Sequence, residues 1–441
     1  MEYFGYGIKF EELYQRDGLV KIDNIFVEQL KNTDVNLFNR LMAGRADKSA
    51  LSDKDHSQLL IDLAPHLEDF IGELFGVKKE ISELAEAHHA LAPLYSCKRL
   101  FVQRRAAKAL SVEEAQRVSG DSLLGMLPLP NVDGEFFELA FAKVVMGWLE
   151  KEEENKSLIE LAARYGAWAL YSEEGKKRHK SGVLFKQPLK LDYNNLVATE
   201  TELRDGVQVL RFHKSHLRAR DGFALTDAGG TRVQAMDSAN YCIFCHNQGK
   251  DSCSKGLKEK TGEVKINPLD IIQAGCPLEE KISEMNLLKS QGVPVGALAV
   301  VTVDNPMCAG TGHRICNDCM KSCIYQKQEP VNIPHVETFT LKDVLNLPYG
   351  FEIYSLLTRW NPLNLERPVP KPESSYKVLV AGLGPAGYTL AHHLINDGHT
   401  VVGIDGLKIE PVPENISGVK ADGTRCQFEP IKDIKTIHEK L

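Results

Sequence analysis

The sequence lacks a run of apolar residues long enough to cross a bilayer. Its longest apolar stretch, residues 293–303, contains Pro294 and Gly296 and falls far short of the ~20 residues that span a membrane. The opening residues also lack the basic and apolar segments of a secretory signal. These absences predict a cytoplasmic protein with no membrane partner.

An excess of positive charge and a repeat of fixed period are also missing. The 441 residues carry a formal net charge of -7, which gives no reason to expect nucleic acid as a partner. The composition, with 43% hydrophobic and 26% charged residues, is ordinary for a soluble globular protein. The length allows two to four domains and a sizeable core.

What the sequence does contain is a concentration of cysteine. Eight of its ten cysteines lie within residues 242–323. Disulfides are rare in the cytoplasm, so this clustering indicates metal or redox chemistry. Thiolates two or three residues apart can turn inward on one loop and share a metal centre. The eight are Cys242, Cys245, Cys253, Cys276, Cys308, Cys316, Cys319 and Cys323.

Two iron–sulfur clusters are the first interpretation of this pattern, because two four-iron clusters use about eight ligands. The Cys276-Pro277 step suits a cluster loop, since proline fixes the turn and removes an N–H. Structural zinc is the main competitor, but it normally uses two separated Cys-x2-Cys pairs. Cys253, Cys276 and the triple at residues 316–323 fit that scheme poorly.

Two weaker interpretations remain. The run Cys242-Ile-Phe-Cys245-His246 matches the attachment motif of covalent haem, which normally belongs to exported proteins. Inert buried thiols are the simplest interpretation of the isolated Cys97 and Cys426.

A glycine-rich turn near residue 380 predicts a dinucleotide site. A short apolar strand, residues 377–381, precedes it, and a helix over residues 388–396 and a second strand follow. In this motif the glycines permit a tight turn, close approach of a pyrophosphate and contact between helix and strand, while a carboxylate about 20 residues later accepts the ribose hydroxyl. The residues expected to contact the dinucleotide are Gly382, Gly384, Pro385, Ala386, Gly387 and Asp405.

The periodicity of apolar residues predicts mostly helix over residues 1–200 and more extended structure over residues 206–236, including Arg232-Val-Gln-Ala. A helix is expected over residues 277–288, after Cys276. Residues 361–375 read as an extended, semi-rigid proline-rich linker.

With both motifs in this order, the chain resembles the family of the glutamate synthase small subunit, which also includes the N-terminal part of dihydropyrimidine dehydrogenase. The similarity covers residues 237–405. It is most specific at Gly275-Cys276-Pro277, at residues 312–323 and at the glycine turn. Members are NADPH-dependent, FAD-containing enzymes with two [4Fe-4S] clusters in a helical cysteine domain, and in them this turn holds FAD.

The resemblance also implies the cluster ligands. The second cluster of the family takes one ligand that is not cysteine, and Glu337 in Val331-Asn-Ile-Pro-His-Val-Glu337 is at the matching position. Cys308 is an alternative, because a carboxylate is an uncommon cluster ligand, and Glu337 could instead lie on a helix surface. The first cluster would use Cys242, Cys245, Cys253 and Cys323, and the second Cys276, Cys316, Cys319 and Glu337.

Three departures from the family are visible. The gap between Cys253 and Cys276 is longer than in the family, and Asp405 replaces the usual glutamate. Family members also continue for several hundred residues beyond the position of Leu441. The chain is therefore expected to be one portion of an enzyme, or to be completed by another chain.

The resemblance implies an oxidoreductase in which NAD(P)H gives a hydride to FAD, and the clusters pass single electrons to a partner domain or subunit. A zinc-stabilised scaffold that binds a nucleotide as a regulatory ligand is the alternative. The expected fold is multidomain. It comprises a mainly α region of unknown function (1–236), an α-helical iron–sulfur domain (237–360), a linker (361–375) and the start of an α/β Rossmann-like FAD/NAD(P)-binding domain (376–441).

Overall fold

The computed structural model describes residues 3–130, 135–197, 199–213, 221–224, 229–311, 315–406, 412–420 and 422–437. Over these ranges the protein is mainly helical, with two small sheets of two strands each. In the same ranges no helix combines the length and apolar composition needed to cross a membrane. The predicted mainly α, multidomain character is confirmed.

Helices greatly outnumber strands in the described part of the chain. In chain order, the α-helices are α1 (Arg16–Thr33), α2 (Val35–Ala46), α3 (Asp53–Phe75), α4 (Lys78–His89), α5 (Ala92–Cys97), α6 (Val112–Arg117), α7 (Gly120–Gly125), α8 (Glu135–Glu150), α9 (Glu152–Tyr171), α10 (Glu173–Arg178), α11 (Arg232–Tyr241), α12 (Ser252–Lys255), α13 (Ile282–Ser290), α14 (Pro294–Asp304), α15 (Cys308–Thr311), α16 (Asp318–Lys321), α17 (Ile333–Leu345), α18 (Gly350–Leu357), α19 (Pro385–Asn396) and α20 (Glu414–Ser417). The strands are β1 (Thr199–Arg204), β2 (Val207–Phe212), β3 (Lys377–Ala381) and β4 (Thr400–Ile404).

Helix α3 shows how local sequence sets the ends of a helix. The Ser52 side chain accepts a hydrogen bond from the backbone N–H of Asp55 at 3.2 Å, a cap worth about 1 kcal/mol. Asp53 and Asp55 place negative charge in the first turn, where the helix dipole favours it. Gly76 ends the helix in the left-handed conformation, with a φ of 68°, which glycine adopts without steric cost.

One hydrophobic core joins residues 4–81 to residues 239–365. Helix α14 lies at its centre and packs against α3, α13 and α17. Residues 294–302 of α14 are all buried, which is why the longest apolar stretch of the chain shows no polar face. The first helices therefore share a core with the thiol-bearing region, a connection that the sequence patterns did not indicate.

A second core lies mainly in residues 94–185 and is built largely on α5, α8 and α9. Its centre is aromatic. Tyr165 packs against Trp168 with ring centroids 5.4 Å apart and against Phe141 at 5.7 Å. Such pairs stabilise a core beyond the area that they bury.

Two secondary-structure predictions were wrong in part. Residues 207–212 are extended as expected and form a hairpin with β1, but Arg232-Val-Gln-Ala begins helix α11 rather than a strand. The reason is a capping box, in which the Thr231 hydroxyl accepts from the Gln234 N–H and the Gln234 side chain accepts from the Thr231 N–H. The helix expected from Pro277 begins only at Ile282.

A buried carboxylate connects four helices. Asp343 on α17 is about 1% exposed and pairs with Lys289 on α13, with His88 Nε2 on α4 at 3.0 Å and with Arg232 on α11 at 2.9 Å. Burial by itself raises the pKa of Asp343. The hydrogen bond from His88 and the charge of Lys289 outweigh it and lower the pKa to about 2. The carboxylate is therefore ionised at neutral pH and fully compensated by its partners.

We expect Asp343→Ala to reduce the free energy of unfolding by about 3–5 kcal/mol, because it leaves the buried Lys289 charge without a partner. Urea unfolding monitored by circular dichroism measures this. Glu83→Ala is the control: its exposed partner Lys79 is 3.6 Å away, and such pairs contribute about 0–1 kcal/mol. Equal unfolding midpoints for the two variants would contradict the role given to Asp343.

Candidate functional site

Four of the predicted ligand thiols, Cys242, Cys245, Cys253 and Cys323, form one group, which we call the first thiol group. Burial raises the pKa of Cys253 well above its usual value, and negative charge on Asp251 and on the other three thiols adds to this effect. Cys242 follows α11, Cys245 opens a short 3-10 turn, Cys253 lies on α12, and Cys323 comes just after α16. Four separate backbone segments therefore bring these side chains within electrostatic reach of one another.

Buried polar atoms without partners surround the first thiol group. Each buried atom that lacks a hydrogen bond costs about 1–3 kcal/mol, and native structures leave few of them. Hydroxyl, amide and imidazole groups can donate hydrogen bonds to the ligands of a bound metal group or to its sulfur atoms. In the part of the chain that the structure describes, these atoms are Nε2 of His246, Oδ1 of Asp251, Oγ of Ser252, Oγ of Ser254, and both Nδ2 and Oδ1 of Asn286.

The Asn286 amide is the most informative of these groups. Asn286 is 1% exposed, and neither Nδ2 nor Oδ1 of its side chain has a hydrogen-bond partner. Burial raises the pKa of Cys242 to about 12, and the Asn286 amide opposes that rise. The amide therefore lies close enough to the Cys242 sulfur to influence its pKa. A group that accepts hydrogen bonds at this place would satisfy its Nδ2 donor.

Cys276, Cys316, Cys319 and Glu337 form another group, which we call the second thiol group. Burial raises the pKa of Cys276 to about 11, with contributions from Glu280 and Cys316. Burial also raises the pKa of Cys319, and the charges of Glu280, Cys276 and Glu337 act in the same direction. The pairing of residues into two groups is the one that the family resemblance implies.

Glu337 lies inside the protein rather than on a helix surface, since it is 8% exposed. Burial raises its pKa to about 8, and the neighbouring charge of Glu280 contributes. Asn305 Nδ2 donates to Glu337 Oε1 at 3.5 Å. Cys308, the alternative ligand, is instead engaged with Tyr354, whose hydroxyl oxygen is 3.8 Å from the Cys308 sulfur. Glu337 is thus the better placed of the two beside Cys319.

Sequence reasoning missed Glu280. It is 9% exposed, and burial raises its pKa to about 7. The only signal in the sequence was that Glu280 follows Cys276 by four residues. An acidic residue at such a position is explained equally well by the first turn of a helix, where negative charge is favoured. Burial of Glu280 against Glu337 is a property of the tertiary structure.

The described ranges contain no group of three or more His, Cys, Asp or Glu side chains placed closely enough to hold a metal ion. We therefore define the two thiol groups by the electrostatic influence of their members on one another. Three residues of the family-like stretch, Gly312 to Arg314, lie outside the described residues.

The predicted glycine turn is confirmed as a strand–turn–helix–strand unit. β3 and β4 pair in parallel, with Lys377 opposite Thr400 and Ala381 opposite Ile404, and α19 connects them. The Gly382 N–H continues the ladder by donating to the Ile404 carbonyl at 2.7 Å. This is the βαβ arrangement in which a turn and helix N-terminus receive a phosphate.

Two glycines of the turn have distinct structural requirements. Gly382 has a φ of +91°, a conformation that strongly favours glycine. A Cβ on Gly387 would lie 1.8 Å from the Gly382 carbonyl oxygen, whereas a Cβ on Gly384 would meet nothing within 4 Å. The open space at Gly384 is the side from which a ligand can approach the backbone.

Asp405 lies beside this turn, as the motif predicts. Its Oδ2 accepts a hydrogen bond from the Leu383 N–H at 2.6 Å, so the carboxylate at the end of β4 is fixed next to the glycines. Residues of β3, the turn and the start of α19, including Pro385, Ala386 and Leu390, line a cavity of about 550 Å³. Such a volume accommodates a drug-sized or mononucleotide-sized group.

Comparison with known proteins relates the chain to two proteins of Rickettsia prowazekii (strain Madrid E). The model of the RP005 N-terminal alpha-helical domain matches residues 4–76, a range that ends at the Gly76 cap of α3. The uncharacterized protein RP005 is 32% identical over 302 residues, which are 65% of this chain and 98% of RP005. The chain therefore belongs to the RP005 family.

The second relative is matched over a shorter region. The uncharacterized protein RP006 is 62% identical over 110 residues, which are 25% of this chain and span only 16% of the length of RP006. No solved structure matches the chain.

We expect Gly387→Ala to open the βαβ unit locally, because its methyl group would displace the Gly382 carbonyl. Hydrogen exchange of the β3 and β4 amides should therefore become faster. A loss of more than about 1.4 kcal/mol in the local free energy of opening corresponds to at least about a tenfold rise in the exchange rate. Gly406→Ala is the control, since a Cβ there meets nothing within 4 Å. Unchanged exchange in Gly387→Ala would show that the turn tolerates a side chain.

Proposed function

We propose that this member of the RP005 family is part of an iron–sulfur flavoprotein oxidoreductase of the glutamate synthase small-subunit type. The observation that supports it best is the sorting of seven cysteines and one glutamate into two separate groups. Each group contains four candidate ligands, which is the number that one four-iron cluster uses. A zinc-stabilised nucleotide-binding scaffold is the alternative that the first experiment below tests.

The first thiol group supports the proposal through its surroundings. Buried donors such as the Ser252 and Ser254 hydroxyls and the Asn286 amide are unpaired, and hydrogen bonds to cluster sulfur atoms are a known means by which proteins adjust cluster potential. The donor set of Cys242, Cys245, Cys253 and Cys323 thus fits a [4Fe-4S] cluster. These side chains would hold the cluster and exclude water from it.

The second thiol group has a different character. Cys276, Cys316 and Cys319 would supply three ligands and Glu337 the fourth, with Glu280 as a buried neighbour that adds negative charge. Cys316 is the exposed member, whereas Glu337 is buried. The second group therefore opens to the surface on the Cys316 side.

The turn after β3 would bind the pyrophosphate of FAD. Gly384 offers open backbone, the first turn of α19 presents N–H groups that have no partner within the helix, and Asp405 is placed to accept a ribose hydroxyl. The α/β unit would then be the start of a Rossmann-like FAD/NAD(P)-binding domain. When bound, the flavin and the two clusters would supply hydride and single-electron chemistry between NAD(P)H and a redox partner domain or subunit.

The exposed apolar residues of the βαβ unit support the view that further polypeptide covers it. Val402 is 55% exposed, Ile395 54% and Ile404 50%. Parallel strands are normally covered on both faces. A partner domain or subunit would bury these side chains.

Metal and acid-labile sulfide analysis of anaerobically purified protein tests the proposal directly. We expect roughly eight iron and eight sulfide per chain and a broad absorbance near about 400 nm, as two four-iron clusters give. Zinc without labile sulfide would reject the oxidoreductase and favour the scaffold.

A pair of cysteine variants tests the grouping. Cys316→Ser should remove about half of the iron and sulfide and leave one cluster signal in electron paramagnetic resonance of the reduced protein. Cys426→Ser is the matched control, because the Cys426 sulfur contacts the Glu414 carbonyl, at 3.6 Å, and belongs to neither group. Loss of both clusters in Cys316→Ser, with normal folding by circular dichroism, would contradict the assignment of separate ligand sets.

A further inference from the structure

A cavity of about 560 Å³ opens between the two hydrophobic cores. Tyr95 and Lys98 line it from the second core, and Tyr241, Cys242 and Tyr325 line it from the thiol-bearing region. Small-molecule sites occur preferentially at such boundaries between structural units, in cavities of about 300–1,000 Å³.

The cavity wall carries a surplus of positive charge. Lys98 is neutralised within the wall by Asp237, with Nζ and Oδ2 2.6 Å apart. Arg99 and Lys190 also line the cavity and are exposed at its mouth. Because the wall has three cations and one carboxylate, it favours a ligand that carries negative charge.

Two aromatic side chains of the same wall form a stacked pair. The rings of Tyr241 and Tyr325 have centroids 4.4 Å apart and an angle of 12° between their planes. The Tyr325 hydroxyl donates to the Tyr241 carbonyl at 3.2 Å, which fixes the pair. The ring of an aromatic ligand can pack against such a pair by offset stacking or edge to face.

Backbone strain marks the adjoining part of the wall. Phe244 has a φ of 54° and a ψ of 63°, a conformation that costs a residue other than glycine about 1–3 kcal/mol and that clusters at functional sites. This residue lies between Cys242 and Cys245 in the sequence and lines the cavity. The side chains of Gln103, Asn240 and Gln328 also line the cavity.

The other cavities lack this combination. The one between α14 and α19 contains Arg367 and Lys371, but both pair with Asp397, at 3.0 and 2.9 Å. The small cavity of about 220 Å³ beside α1 and α3 is lined by Asp69 and Glu73. The cavity at the glycine turn is already assigned to the dinucleotide.

We propose that the cavity between the cores binds a planar aromatic anion of about mononucleotide size. The stacked pair of Tyr241 and Tyr325 would contact its ring, and Arg99 and Lys190 would hold its anionic group. Since Cys242 lies in the wall, the ligand would be placed next to the first thiol group. Binding does not depend on the proposed redox function, and its test is independent of cluster content.

Fluorescence titration of the full chain with flavin mononucleotide and with riboflavin tests the proposal, because these probes share a ring and differ in a phosphate. We expect saturable binding of flavin mononucleotide that is at least about tenfold tighter than that of riboflavin. Higher salt should weaken binding of the charged probe, because both cations are exposed.

Matched variants locate the site. Arg99→Gln/Lys190→Gln should weaken flavin mononucleotide binding at least about tenfold and leave riboflavin binding nearly unchanged. Arg117→Gln/Lys79→Gln removes the same charge at exposed positions outside the cavity and should have no effect. Gly384→Ala, which blocks approach to the glycine turn, should also leave binding intact.

Three results would overturn the proposal. They are an absence of saturable binding, equal binding of the two flavins in all variants, and loss of binding in Gly384→Ala with retention in Arg99→Gln/Lys190→Gln. The last result would place the ligand at the dinucleotide turn. None of these outcomes bears on iron content, so a failure of flavin binding is distinguishable from a failure of the proposed oxidoreductase.

Discussion

The arrangement of the thiol-bearing region depends on the compensation of one buried carboxylate. Asp343 accepts from His88, Lys289 and Arg232, and these four residues belong to α17, α4, α13 and α11. Helix α11 leads directly into Cys242, α13 carries Asn286 and α17 carries Glu337. Because a buried charge is tolerated only with its partners in place, the network fixes the relative positions of the helices that lead into Cys242 and carry Asn286 and Glu337.

The two thiol groups differ in the electrostatics that surround them. The first is bordered by donors without partners, including the Ser252 hydroxyl and the Asn286 amide, and by one buried carboxyl group, Asp251. The second is bordered by carboxyl groups, because burial raises the pKa of both Glu280 and Glu337. Hydrogen bonds and net charge both adjust the potential of a cluster. Under the proposed function, the two sites would therefore hold clusters of different reduction potential, as a chain of electron carriers requires.

Local motifs could be predicted from the sequence where the backbone conformation or a close contact allows only one type of residue. The turn at Gly382 needs a positive φ, and Gly387 needs the absence of a Cβ, so the βαβ unit could be predicted almost to its ends. The start of α11 was missed because the capping box of Thr231 and Gln234 was outweighed by alternating apolar residues. Glu280 was missed because an acidic residue after Cys276 has an ordinary explanation at a helix start.

The sequence by itself determined which residue types are available: clustered thiols at short spacings, a glycine turn followed by a carboxylate, and an apolar segment too short for a membrane. Only the tertiary structure decided which thiols face one another, that Glu337 is buried, and that residues 4–81 share a core with residues 239–365. The reason is physical. Spacing restricts contacts along a few residues of one segment, whereas burial and charge compensation depend on side chains that are separated by hundreds of residues and meet only when the core forms.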